Sequence, residues 1–85
     1  NKINTSITIP IKVSVKNEAG SLGKLATIIG NNNGNITNLN ISEKSNDFFD
    51  MIFVIELNDL SHLNFIIDKL KENEIVSDVK RLFID

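Results

Sequence analysis

The sequence predicts an α+β fold: one four-stranded antiparallel sheet with two helices on a single face, in the order β-α-β-β-α-β. Three patterns carry this expectation. Residues 7–15 alternate apolar with mostly polar side chains. Two later segments place apolar residues at helical spacing. Between those segments runs Phe48 to Leu57, whose odd positions are all apolar.

Ile7, Ile9, Ile11, Val13 and Val15 form the buried side of a first strand. Pro10 has no N–H, so regular pairing is expected to start just after it, near Ile11. Asn17-Glu18-Ala19-Gly20 breaks the pattern and reads as a turn. Leu22, Leu25, Ala26 and Ile29 then recur at i, i+3, i+4 and i+7. This spacing predicts a helix from Ser21 to about Asn32, with Gly20 or Ser21 near its N-cap and Gly30 and Gly34 as stop signals. Ile36 to Lys44 is a second strand with Leu39 and Ile41 on one face. Ser45-Asn46-Asp47 supplies turn chemistry before the third strand, Phe48 to Leu57. Phe48, Ile52 and Val54 make the even side of that strand apolar as well, so it is central and its second face needs partial cover. Asp59 or Ser61 caps a second helix with the stripe Leu60, Leu63, Ile67 and Leu70, Ile66 lying beside it. Lys69 and Lys71 suit its C-terminal dipole. Val76 to Ile84 is a last strand. Two right-handed crossovers joined by a hairpin give the ferredoxin-like layout, with strand order 4-1-3-2.

At 85 residues the chain is one small domain, with a core that buries about 60–65% of the unfolded surface. Apolar residues at 41% and charged residues at 24% suit a folded globule. A net charge of −2 and a pI near 5.3 disfavour binding to phosphate backbones. Without cysteine there is no disulfide, thiolate nucleophile or sulfur-ligated metal. No apolar run approaches a membrane span and no signal peptide opens the chain, so a soluble cytoplasmic domain is expected. Asn1 to Ser6 reads as a linker remnant, and the start at Asn1 as the start of a fragment, leaving 7–85 as the domain. Thirteen Asn and fourteen Ile suggest A+T-rich coding, so the Asn31-Asn32-Asn33 run is discounted as a functional signal.

Catalytic constellations are nearly absent. His62 is the single histidine and reads as a solvated residue on the first turn of the second helix. Asp50 and Glu56 share one strand face, but about 20 Å of strand separates them, too far for joint acid–base or metal chemistry. Lys80-Arg81 is too short for a nucleic-acid patch, and Phe53 lies on the face the helices should cover. The first strand-to-helix turn stands out instead. Asn17 to Leu22 places free N–H groups and a positive helix end at the sheet edge, where Gly20 lets a ligand approach. Asn40 on the neighbouring strand offers a donor and an acceptor. Together they suit a small zwitterion. On the residues alone the favoured reading is the plainer one, that Gly20 eases a tight turn that Asn17 caps.

Ile11 to Leu22, then Gly34-Asn35-Ile36 and Asn38-Leu39-Asn40-Ile41, resemble the ACT domain, a βαββαβ regulatory module that often senses amino acids as a dimer or as paired domains. The likeness spans about Ile9 to Ile84. Asp47-Phe48-Phe49-Asp50-Met51, Asp59-Leu60-Ser61-His62-Leu63-Asn64-Phe65-Ile66-Ile67 and Val76-Ser77-Asp78-Val79-Lys80-Arg81 are similar to the C-terminal ACT domain of RelA/SpoT proteins. Those GTP pyrophosphokinases make and hydrolyse guanosine tetra- and pentaphosphate in the bacterial stringent response. The resemblance implies a regulatory domain, not itself an enzyme, that relays nutrient or amino-acid status to catalytic domains elsewhere in a parent enzyme. It implies no cofactor.

Asn17 to Gly20 with Asn35-Ile36 also resembles the valine-sensing small subunit of acetolactate synthase, which binds its ligand between protomers. The corresponding positions are Asn17, Gly20, Ser21, Leu22, Asn40 and Ile41. Many stringent-response ACT domains carry Asp and a basic residue where this chain has Asn17 and Glu18. Phe48, Ile52 and Val54 on the uncovered sheet face suggest a homodimer or docking on another domain, with the ribosome or a carrier protein reached through the parent. No nucleic-acid or membrane contact is expected. An acylphosphatase-like hydrolase would need an Arg in the first turn, and Arg81 is the chain's one Arg.

Overall fold

The computed structural model describes residues 6–83. In order along the chain come β1 (Ile7–Lys16), α1 (Ser21–Asn31), β2 (Asn35–Lys44), β3 (Phe48–Leu57), α2 (Leu60–Lys71) and β4 (Val76–Arg81). The four strands form one antiparallel sheet in the order β2-β3-β1-β4, the expected 4-1-3-2 read from the other edge. Residues 1–5 of the expected linker, and Ile84 of the expected last strand, lie outside the described residues.

Period two in β1 and β3 sends Ile9, Ile11, Val13 and Val15, with Met51, Phe53, Ile55 and Leu57, to the buried face. Helix α1 covers that face with Leu25 and Ile29, and α2 with Leu63, Ile66 and Leu70. Each such side chain contributes about 1.5–3 kcal/mol on burial. The α2 stripe differs from expectation: Ile66 is fully buried, whereas Leu60 is 51% exposed and Ile67 only partly buried. Leu60 opens the helix, beyond the edge of the core, and Leu63-Ile66-Leu70 alone follows the sheet.

Pro10 also differs from expectation. It lies inside β1, opposite Val54, with pairing to β3 already under way at Ile7. Its carbonyl accepts from Leu82 N–H at 2.9 Å, on the β4 side. The N–H and C=O of one strand residue point the same way, so the missing donor faces β4 beyond its last ladder pair, Ile11–Arg81. No bond to β3 is lost.

Three bulges shape the sheet. Thr37 and Ser42 are extra residues in β2, and Ser77 is the extra residue in β4. Each carries a hydroxyl that donates to a carbonyl of the neighbouring strand: Thr37 to Val54 (3.2 Å), Ser42 to Asp50 (3.4 Å) and Ser77 to Ser14 (3.2 Å). A bulge interrupts the ladder, and these hydroxyls restore a donor where one is lost. The Thr37 bulge lets Ile36 and Leu39 share the core face despite their odd spacing.

Gly34 packs where no side chain fits. A Cβ there would sit 2.8 Å from Ile29 Cγ2 and 2.9 Å from Ile66 Cδ1. The chain leaves α1 through Asn33, with φ +69°, rather than through a glycine. Asn33 N–H donates to Gly30 O (3.1 Å) and Gly34 N–H to Ile29 O (2.9 Å), the paired bonds of a Schellman motif. Asn33 therefore has a structural role that its place in an Asn run concealed.

Candidate functional site

The β1–α1 turn is built from carbonyls turned inward. Glu18 N–H donates to Lys16 O (3.0 Å) and Ser21 N–H to Glu18 O (3.2 Å). Ser21 is 1% exposed, and its hydroxyl lies 2.8 Å from Lys16 O and 2.9 Å from Glu18 O. Its one proton is shared between those carbonyls. Ser21 shapes the turn from inside and presents no hydroxyl to solvent.

Gly20 is the N-cap of α1 with φ +84°, and a Cβ on it would meet nothing within 4 Å. Its left-handed backbone, not crowding, selects glycine. No side chain caps α1, and its first turn holds no acid. Lys24 N–H donates to Gly20 O at 2.9 Å. The N–H groups of Leu22 and Gly23 find no acceptor among the described residues. Leu22 is 39% exposed beside them. Glu18, tied to Lys24 at 3.8 Å across half-exposed side chains, is the one acid in the turn. This end of α1 suits a small anionic group by its donors and dipole.

Asn17 does not cap its own turn. Its N–H donates to Asp47 O and its Nδ2 to Ser45 O, both at 2.8 Å. The side chain thus ties the β1–α1 turn to the tip of the β2–β3 hairpin. Ser45 closes that hairpin, its N–H and hydroxyl both donating to Phe48 O (2.8 and 2.9 Å). The hairpin carbonyls were not foreseen, because their link to Asn17 spans 28 residues.

Asn40 and Ile41 part company across the sheet. Asn40 pairs with Ile52 and faces away from the helices; Ile41 pairs with Met51, faces the helix side and is 54% exposed. Within one protomer Asn40 and the α1 end therefore lie on opposite faces. Shallow clefts among the described residues include two of about 290 and 310 Å³ and a larger charged one of about 560 Å³ between Lys16, Lys24, Glu72 and Glu74. These three are not lined by Asn17, Gly20, Ser21, Leu22, Asn40 or Ile41.

The helix-free face carries Phe48, Ile52 and Val54 in β3, Phe48 being 45% exposed and the other two half-buried. Lys12 and Asp50 meet there at 3.7 Å, and Ser14 donates to Asp50 at 2.6 Å. Glu56, at the far end of β3, accepts from Ser6 and Asn35. The two carboxylates have separate partners.

His62 is not a solvated surface residue. Asp59 caps α2 by accepting from His62 N–H at 2.8 Å. The His62 Nδ1 accepts from Asn58 N–H (3.1 Å), so Nε2 carries the proton and donates to Asn32 O (2.6 Å). One imidazole pins the start of α2 to the end of α1. No group of three His, Cys, Asp or Glu that can hold a metal ion occurs among the described residues, and no helix there is long and apolar enough to cross a membrane.

A family model described as the ACT domain matches residues 3–81. The chain belongs to the ACT domain family. It is 47% identical over 72 residues to the GTP pyrophosphokinase rsh of Brucella suis, a match covering 85% of this chain and 10% of that protein. The chain spans about a tenth of the length of the curated relatives it matches. Among solved structures, it resembles the ACT domain from the GTP pyrophosphokinase of Chlorobium tepidum at TM-score 0.78 and 22% identity, covering 92% of this chain and 100% of that one. A homoserine dehydrogenase from Thiobacillus denitrificans shares the fold at TM-score 0.75 and 16% identity, over 93% of this chain and 17% of that one. These likenesses to solved structures show the fold, and a fold alone does not assign a function.

Proposed function

We propose that this ACT domain is the regulatory module of a GTP pyrophosphokinase-type protein, relaying nutrient or amino-acid status to catalytic domains elsewhere in that protein. The observation that carries the reading is the 47% identity over 72 residues to a GTP pyrophosphokinase. The site suits that reading: the turn offers donors and a helix dipole for recognition.

A free amino acid, branched-chain in class, is the ligand this end of α1 suits. Its carboxylate would take the free N–H groups of Leu22 and Gly23, and its side chain would lie on Leu22 and Ile41. Asn40 joins such a site only if a second copy supplies it, since it faces away from α1 in its own protomer. The valine-sensing subunit remains the comparison for that arrangement. Phe48, Ile52 and Val54 form the face for a homodimer or for docking within the parent protein, in the cytoplasm.

Titrating the domain with the common amino acids while recording amide shifts tests the ligand. Shifts at Gly20 to Leu22 that spread through Asn17 to Ser45 and Asp47 are expected. Silence at those amides in millimolar ligand removes amino-acid sensing, and leaves contact with other domains as the regulatory route.

A further inference from the structure

We propose that Asn33-Gly34 is a latent deamidation site which the native end of α1 holds shut. It is the one Asn-Gly pair in the chain. The fold constrains both residues. Asn33 takes φ +69°, a conformation Asn tolerates better than most residues, and Gly34 packs against Ile29, Ile55 and Ile66 with no room for a Cβ. Packing thus imposes the glycine of the dipeptide most prone to succinimide formation, and a following glycine leaves the approach to the Asn side chain unhindered.

The chemistry needs only water. The Gly34 backbone nitrogen gives up its proton and attacks Cγ of Asn33. The new C–N bond closes a five-membered succinimide, and the side-chain nitrogen leaves as ammonia. Water then opens the ring at either carbonyl, giving aspartate or isoaspartate. In the native state Gly34 N–H is committed to Ile29 O at 2.9 Å, inside the Schellman motif. The neighbouring carbonyl, Asn32 O, is held by His62 Nε2 at 2.6 Å. Attack therefore waits for this helix end to open. Once made, the product does not re-close well. A carboxylate at position 33 opposes the negative end of the α1 dipole, and isoaspartate adds a backbone carbon that breaks the motif's spacing.

The test incubates the chain at one pH and temperature, folded in buffer and unfolded in guanidinium chloride. Peptides spanning Asn33 are followed by mass spectrometry for exchange of NH for oxygen, and by chromatography for the isoaspartate form. Asn33 should convert ahead of every other Asn when unfolded, and at least about tenfold more slowly when folded. His62→Ala should speed conversion at Asn33 in buffer. Equal rates in the two states would overturn the lock, and another Asn converting first would overturn the site. A His62→Ala rate no faster than wild type would refute the helix end as the gate.

Discussion

Each half of the molecule has a strand that turns into a helix, and the two junctions are finished differently. At α2, Asp59 occupies the first-turn donor of His62, and the His62 ring returns to Asn58 N–H and reaches across to Asn32 O. At α1, Gly20 takes a left-handed conformation, no side chain caps the helix, and Leu22 and Gly23 keep their donors free among the described residues. The α1 junction is held instead by the buried Ser21 hydroxyl on the Lys16 and Glu18 carbonyls and, from outside, by Asn17 on the Ser45 and Asp47 carbonyls. One junction is closed by side chains; the other forgoes a cap worth about 1 kcal/mol and leaves its amides open for the ligand proposed above.

Substitutions can break or sharpen this contrast. His62→Ala removes both ring hydrogen bonds at once and should cost about 2 kcal/mol, read as a lower melting temperature, while amides at Gly20 to Leu22 stay in place. Gly20→Ala forces a side chain into φ +84° and should cost about 1–2 kcal/mol through backbone strain alone, since the space around Cβ is empty. A neutral result in chemical denaturation would show that the open junction can adopt another turn. Asp59→Ala should cost about 1 kcal/mol and speed hydrogen exchange at the start of α2, with no matching change at α1. Gly23→Glu is the discriminating case. It adds an acid and a better helix former to the open end, so it should stabilise the domain by about 0.5–1 kcal/mol. The same carboxylate should abolish binding of any anionic ligand there. A stabilised variant that still binds would break the assignment of this end as the recognition site.

The layout was legible in the sequence because period two in β1 and β3 and the paired helical stripes are local patterns. Strand order followed from crossover handedness. What escaped reading depends on partners distant in sequence. His62 read as a surface residue because its acceptor lies 30 positions away, beyond the end of another helix. Asn33 was hidden by the composition around it, and the bulges at Thr37, Ser42 and Ser77 leave no periodic trace. At the candidate site, the special backbone of Gly20 was visible as a glycine in a turn. The inward hydroxyl of Ser21 and the outward turn of Asn40 required coordinates.

The kinks in β2 bear on a hazard unrelated to regulation. β2 is an outermost strand of the sheet, and open rims of this kind invite chain after chain to add on until fibrils form. Thr37 and Ser42 each shift the hydrogen-bonding repeat by one residue, so a straight incoming strand stays in phase only across the stretch between them. An Ile- and Asn-rich polypeptide thereby carries its own protection along one of the two open edges of its sheet.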